Sequence, residues 1–412
     1  MTDLGDAELQ RPTLAALLVD LLDPLGPLTV GPLPPLLLNL TEAHGCVLAD
    51  DSFARHDNPD LDRAAADGYA VRAADLETAA TDQPVRLLVV ADVRAGSPRP
   101  LLDVRPGQTA RVARGAPLAP GTNAVVADCH TDGGLDRVFA MASVAVGAGV
   151  EAAGSQLRSG ELVLRAGTRL GPAHLGLLAA AGYERVAVRP RPRVVLVTVG
   201  DGFGPGRPDP IGPMLAAAVA EAGAWPFVVP PLPLDPVLLR QYLEDQLVRA
   251  DMLVVAGLDG GVASRLLLDV IGRMGQIRGL DARVEPGGEL AVGRCGEEQA
   301  LVLVLPADHS SCHVLAEMVA RPLVRAMLGA TPLERPRIAA ITDQDLLGPS
   351  LAADVRAVPV RLVHRDGRYH VDPVVASGLR GLAEAMAYAL VGPGGARAGE
   401  AVATLVLERR LS

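Results

Sequence analysis

Three continuous apolar runs rich in β-branched residues, at 194–199, 252–256 and 301–305, constrain the fold of this chain more than any other feature. A strand covered on one face alternates apolar and polar residues, whereas an unbroken apolar run is what a parallel strand buried on both faces looks like. Helix-length segments at 213–222, 236–250, 265–274 and 312–328 lie between and after the runs. Together they predict an α/β layer with a mostly parallel sheet. Each run ends in a loop containing glycine or proline, and in open α/β sheets ligands sit at those carboxyl ends.

Ahead of the boundary Arg189-Pro190-Arg191-Pro192 the pattern differs. Residues 13–22 and 41–48 read as helices. From 69 to 141 come short β-type runs, such as 85–90 and 124–127, with glycine and proline turns between them. That pattern predicts an all-β insertion. Residues 160–188 read as a glycine turn, a helix at 175–181 and a short strand. Beyond a linker at 332–336, the segment 337–412 reads as short strands with turns at Asp366-Gly367 and Pro393-Gly394-Gly395, a small β-rich terminal domain. The expected domains are therefore 1–55 with 142–190, 56–141, 191–331 and 332–412, consistent with a length of 412 residues.

Composition removes several classes of function. The formal net charge is −10, and a phosphate-backbone binder needs a basic face to gain from counterion release. Nucleic acid is not expected as a ligand. All 38 basic residues are arginines, which excludes a P-loop lysine and a Schiff-base lysine. Cys46, Cys129, Cys295 and Cys312 are widely spaced, with no C-x-x-C pair and no basic-then-apolar leader, so disulfides, zinc and secretion lack support and a cytoplasmic protein is expected. The longest apolar run, 33–40, contains Pro34 and Pro35; a membrane helix needs about 20 apolar residues, so no membrane insertion is expected. With 2% aromatic residues, base-stacking platforms are not expected either.

The segment 62–72, Asp-Arg-Ala-Ala-Ala-Asp-Gly-Tyr-Ala-Val-Arg, resembles the D-x-S-A-M-D-G-Y-A-V-R signature of the molybdopterin molybdenumtransferase family. That family includes bacterial enzymes and the corresponding domain of gephyrin. Gly115-Ala116-Pro117-Leu118-Ala119-Pro120-Gly121 resembles its G-A-P-L-P-x-G turn, and Gly167-Thr168-Arg169-Leu170 with Leu175-Gly176-Leu177-Leu178-Ala179 resembles G-T-x-L…L-G-L-L-A. The resemblance runs the whole length of the chain. It implies a multidomain α/β and β fold, MoeA-like, with helical and β N-terminal domains, a molybdopterin-binding (MoaB/MogA-like) α/β domain and a C-terminal β-barrel-like domain.

The resemblance also implies an activity, the insertion of molybdate into adenylylated molybdopterin with release of AMP, helped by Mg2+, in a cleft shared across a homodimer. It assigns Asp67 and Asp201 to catalysis, Asp201 also to the metal, and Gly68, Tyr69, Gly200, Asp209, Gly257, Asp259, Gly260 and Pro306 to ligand binding; Arg265, which departs from the family, is read as a ligand-binding residue whose bidentate fork replaces the cation lost from the P-G-K-P turn. Several positions depart from the family pattern. T-G-D-E-L becomes Val199-Gly200-Asp201-Gly202-Phe203, losing one acid, and D-S-N aligns with Asp209-Pro210-Ile211. The S-G-G-V-S-V-G-x-x-D loop, aligned with residues 256–265, ends in Arg265 in place of its aspartate. P-G-K-P reads Pro286-Gly287-Gly288-Glu289, and L-P-G-N-P-V-S reads Leu305-Pro306-Ala307-Asp308-His309-Ser310-Ser311. The threonine before G-A-P is Arg114, the acid after D-x-V-V is Cys129 or, with a one-residue slip, Asp128, and G-E-D is Gly154-Ser155-Gln156.

One lost preorganised group commonly costs about 2.7–4 kcal/mol of transition-state stabilisation. The substitutions therefore predict that the ancestral activity is weakened or lost. A gephyrin-like dimeric scaffold that binds protein partners, and a pterin- or nucleotide-binding carrier or sensor, are the alternatives. Locally, Asp67-Gly68 is either a turn into a strand or a cleft wall, and Asp259-Gly260-Gly261 either caps a helix or leaves its amides open to an anion. Ser310, Ser311 and His313 read as cap and helix residues, not as a nucleophile and base; Asp308 and His309 read as a loop.

Overall fold

The computed structural model describes Leu18 and residues 30–200, 202–203 and 207–407. The helix expected at 13–22 lies outside these residues apart from Leu18, which is helical and buried. The chain forms two compact units; one comprises Leu37–His44 with Asp50–Ala187, the other the rest of the described residues.

In the smaller unit, the expected all-β insertion is a five-stranded sheet. Its strands are β1 (Gly68–Val71), β2 (Val85–Val93), β3 (Gln108–Val112), β4 (Ala124–Ala127) and β5 (Arg137–Ala140), in spatial order β4-β1-β3-β2-β5. The β2–β3 pair is parallel and the other pairs are antiparallel. Alternation along β1 sends Tyr69 and Val71 into one apolar cluster and Ala70 into another, so the sheet is buried on both faces there. The unit also holds α1 (Pro172–Ala180), which starts earlier than the expected 175 because Pro172 occupies its first position, where a missing N–H costs nothing.

A departure from expectation falls where the chain passes from one unit to the other, between His44 and Gly45. Residues 41–48 are not helical: Gly45 takes φ +79°, which interrupts a helix, and Val47–Leu48 pairs antiparallel with Val188 and Arg189. The six-stranded sheet that follows contains β6 (Arg193–Thr198), β7 (Trp225–Val228), β8 (Met252–Leu258), β9 (Gly275–Asp281), β10 (Glu289–Cys295) and β11 (Ala300–Pro306), in order β7-β6-β8-β11-β10-β9. The pairs from β7 to β11 are parallel, and the β10 and β9 pairings are antiparallel. The three apolar runs thus became the central parallel strands. Every residue of β8 and β11 is buried: Met252, Val254, Leu301 and Leu303 enter one core, while Leu253, Val255, Val302 and Val304 enter the core on the opposite face.

Helices α2 (Ile211–Ala222), α3 (Pro236–Leu247) and α4 (Val262–Gly272) fall in the intervals between strands. The segment expected as one helix at 312–328 is α5 (His309–Leu315), a π turn at Ala316–Ala320 and α6 (Arg321–Leu328). Pro322 explains the break, since it removes a helical N–H and crowds the carbonyl four residues back.

The terminal segment forms β12 (Arg337–Thr342), β13 (Val355–Arg365), β14 (Arg368–Pro373), β15 (Ala387–Val391) and β16 (Ala401–Val406), with α7 (Gly378–Glu384) between β14 and β15. Pairing runs β13-β14-β12-β16-β15 and returns to β13, so the sheet closes into a barrel. The expected turn at Asp366-Gly367 joins β13 to β14 with positive φ at both residues, the backbone of a tight hairpin.

Candidate functional site

The carboxyl ends of β6, β8 and β11 feed three helix N-termini, and each holds a carboxylate from the chain itself. At α2, Asp209 Oδ1 accepts the Ile211 amide at 2.8 Å, while Oδ2 accepts the Thr198 hydroxyl at 2.7 Å and the Gly212 amide at 3.1 Å. At α4, Asp259 Oδ1 accepts the Gly261 amide at 2.8 Å and the Ser264 hydroxyl at 2.9 Å. The Ser264 oxygen in turn accepts the amides of Asp259 at 2.7 Å and Gly260 at 2.9 Å. At α5, Asp308 Oδ1 accepts the Ser311 amide at 2.9 Å.

A helix N-terminus attracts anions because its first amides lack partners and its dipole is positive there. Here side chains engage the Ile211 and Gly212 amides at α2, the Ser311 amide at α5, and the Asp259, Gly260 and Gly261 amides of the loop leading into α4, whose own first turn has no side-chain cap. The Gly261 amide, and after it the Ser264 hydroxyl, hold the Asp259 carboxyl below the usual carboxylate range. Within α5, the Cys312 thiol donates to the Pro306 carbonyl at 2.8 Å. Burial, then the Asp308 and Asp209 carboxylates, push its pKa far up, so it is not a nucleophile.

A cavity of about 470 Å³ opens at the ends of β8 and β11, walled by Asp259, Gly260, Gly287, Glu289, Pro306 and Asp308 among others. Its carboxylates come from the loop before α4, the cap of α5 and the start of β10. Among the described residues, no basic side chain lines it. Where the family pattern has a lysine in P-G-K-P, Gly288 leaves open space and Glu289 adds negative charge.

The residues expected at a site divide sharply. Gly260 and Pro306 do form cavity wall, with Asp259. Gly257 is a packing residue: a Cβ there would lie 2.9 Å from Leu267 Cδ2 and 3.1 Å from Val199 Cβ. The Gly200 amide donates to the Leu232 carbonyl at 3.0 Å. Asp201 lies outside the described residues. Arg265 is exposed on α4 and is absent from the cavity wall. Gly260-Gly261-Val262 form the turn into α4 and match the motif's G-G-V, so the motif's terminal acid falls on Leu268 and not on Arg265. Sequence reasoning missed Thr198 and Ser264, whose hydroxyls donate to Asp209 and Asp259; nothing in their spacing distinguishes them from ordinary strand and helix residues.

In the smaller unit, Asp67 is exposed, and its Oδ1 accepts the Arg114 amide at 2.7 Å. Gly68 is required by the sheet, because a Cβ would lie 2.1 Å from the Val126 carbonyl oxygen. Tyr69 does not bind a ligand from there. It is fully buried, its hydroxyl donates to the Gly134 carbonyl at 3.0 Å, and burial raises its pKa. Cys129 is exposed within the short turn Asp128–His130. Gln156, which replaces an acid, donates to Glu151 at 2.5 Å.

Ser310 and Ser311 have no base in His313, which is largely buried with Nδ1 2.7 Å from the Tyr388 hydroxyl. Among the described residues, no three His, Cys, Asp or Glu side chains are grouped so as to hold a metal ion. No helix among them is long and apolar enough to cross a membrane.

Comparison with known proteins agrees with this architecture. The sequence profile of the MoeA N-terminal region (domain I and II) matches residues 16–182. Molybdopterin molybdenumtransferase 1 of Mycobacterium tuberculosis is 34% identical over 318 residues, covering 72% of this chain and 74% of the relative. Molybdopterin molybdenumtransferase 2 of the same organism is 33% identical over 330 residues, covering 76% and 80%. A molybdopterin biosynthesis MoeA protein from Pyrococcus horikoshii superposes with a TM-score of 0.71 at 24% identity, covering 97% of this chain and 100% of that one, a likeness of fold. With this level of identity across most of both sequences, the chain belongs to the molybdopterin molybdenumtransferase family of molybdenum cofactor biosynthesis.

Proposed function

We propose that this protein is a member of the molybdenum cofactor pathway in which the ancestral reaction, insertion of molybdate into adenylylated molybdopterin with release of AMP, is weakened or lost, and whose retained fold serves as a homodimeric scaffold for protein partners. The observation that carries the reading is the Asp259–Ser264 pair. Its carboxylate and hydroxyl engage the Asp259, Gly260 and Gly261 amides, donors of the loop leading into α4 that an anionic pterin phosphate or molybdate would otherwise meet there. The cavity beside it offers further carboxylates and, among the described residues, no arginine. An anionic substrate entering it would meet repulsion and would have to displace Asp259 and Ser264 from the loop amides.

A resident Mg2+ fits these residues poorly. Each of Asp209, Asp259 and Asp308 is already an acceptor for helix amides, and the described residues supply no grouped set of ligands.

The test is AMP release from adenylylated molybdopterin in the presence of molybdate and magnesium, run beside an intact relative. A rate at least about 100-fold lower is expected, the scale of one lost active-site group. A rate within about tenfold, a barrier difference of about 1.4 kcal/mol, would overturn the reading and restore a working transferase. Light scattering tests the dimer, and a mass of 42.6 kDa would remove it.

A further inference from the structure

The β2–β5 pair of the smaller unit carries an exposed face that the cleft chemistry does not use. Arg86 stands directly opposite Phe139 across the two strands, and Leu88 directly opposite Arg137. Their neighbours Leu87, Val138 and Ala140 point into the core on the other side of the sheet. Leu88 is 45% and Phe139 41% exposed, which is high for large apolar side chains on a regular strand. Arg86 and Arg137 are exposed too, and neither makes a side-chain hydrogen bond or ion pair among the described residues. The Asp132 carboxylate beside Phe139 is engaged by the amides of Gly134 and Phe139.

We propose that this face docks an extended acidic segment of another protein, one carrying two carboxylates two residues apart. Arg86 and Arg137 are diagonal neighbours, and diagonal positions across a strand pair lie about 7–8 Å apart. Residues i and i+2 of an extended chain project to one side about 6.6–6.8 Å apart. The two spacings match, so an acid-x-acid segment reaches both guanidinium groups at once. The aliphatic stems and apolar neighbours of such a segment then lie on Leu88 and Phe139, the other diagonal of the same square. Charge complementarity selects this occupant. Both cations are uncompensated in a chain of net charge −10, so an acidic segment is repelled by most of the molecule and held where these arginines stand. Single-stranded nucleic acid would share the charge but finds one aromatic ring on the face and no run of stacking platforms.

The experiment is fluorescence anisotropy of a labelled Leu-Glu-Val-Glu-Leu peptide with the full chain. Wild type is expected to bind, and the charge-reversal pair Arg86→Glu with Arg137→Glu to bind about tenfold more weakly or worse. Arg86→Lys with Arg137→Lys is expected to stay within about threefold of wild type, because the charge is kept and only the fork geometry is lost. Leu88→Ser is expected to weaken binding with no change in its salt dependence. The proposal is overturned by no binding to wild type at millimolar peptide, or by equal binding to wild type and the reversed pair. It is also overturned by an oligonucleotide that binds more tightly than the peptide and is lost in the same pair, or by a change of oligomeric mass in that pair, which would make a second copy the occupant. All four side chains are exposed, so circular dichroism melting separates loss of binding from loss of fold.

Discussion

The Ser264 hydroxyl donates to the Asp259 carboxylate at 2.9 Å while its oxygen accepts the Asp259 and Gly260 amides, so one side chain near the start of α4 fixes the whole loop before it. Ser264→Ala leaves those two amides without that acceptor. It is expected to cost about 0.5–1.5 kcal/mol, the net worth of an intramolecular hydrogen bond, measured by chemical denaturation.

Asp259→Ser tests the role of the carboxylate in the cleft. If the acid keeps anions away, the serine variant binds adenylylated molybdopterin about tenfold more tightly, the scale of one charge-assisted hydrogen bond. Calorimetric titration decides it, and unchanged affinity would return Asp259 to the role of fixing its own loop.

His313 provides a pH dependence. Burial lowers its pKa, opposed by Glu317 and Glu221 and reinforced by Arg335. Its folded value therefore lies below the unfolded value of about 6.5. The neutral ring's contribution to stability is complete above that unfolded value. As pH falls below it the unfolded chain takes up the proton first, and stability drops until the folded value is passed. Urea midpoints at pH 8, 6.5 and 5.5 will show the decline, and His313→Asn will flatten it while also losing the contact with Tyr388.

Arg335 is 9% exposed and donates to both carboxylate oxygens of Glu317, at 2.8 and 2.9 Å, to Glu221 at 2.5 Å and to the Leu407 carbonyl at 2.8 Å. Arg335→Ala strands the buried Glu317 charge and is expected to destabilise by about 3–5 kcal/mol. Arg335→Met combined with Glu317→Gln removes both charges and is expected to recover much of that loss. Thermal melting of the single and double variants measures the difference.

Tyr69→Phe removes the hydrogen bond to Gly134 and is expected to cost about 0.5–1.5 kcal/mol of stability with no effect on ligand affinity. Denaturation and titration of the same variant separate a core residue from a binding one.

The parallel strands were readable because burial on both faces removes polar residues from 194–199, 252–256 and 301–305. The strands Trp225–Val228, Gly275–Asp281 and Glu289–Cys295 were not, since prolines, glycines and charges interrupt them and only pairing with neighbours makes them extended. Residues 41–48 looked helical because their composition suits a helix; Gly45 and the pairing of Val47 with Arg189 override it. At the site, the motif identified the loops but not the occupancy of their amides. Tyr69 sits in the most legible motif of the chain, yet the strand's alternation turns it inward. The hydroxyls of Thr198 and Ser264 became visible only once their distances to the carboxylates were known.

The terminal barrel has one further implication for anyone who would dissect this protein. The start of β13 is flanked by a parallel pairing with Val284–Glu285, which belongs to the segment joining β9 to β10, and the salt bridge of Arg283 with Asp354 lies beside that junction. Tyr388 and Leu405 of the barrel share one apolar core with the helices on that face of the parallel sheet. The barrel therefore behaves as a graft that has taken, and neither stock nor scion will survive a cut at the linker. Shortening the chain at residue 336 is expected to give an insoluble product on expression, whereas insertions at the exposed turn Asp366-Gly367 are expected to leave soluble yield and melting temperature unchanged.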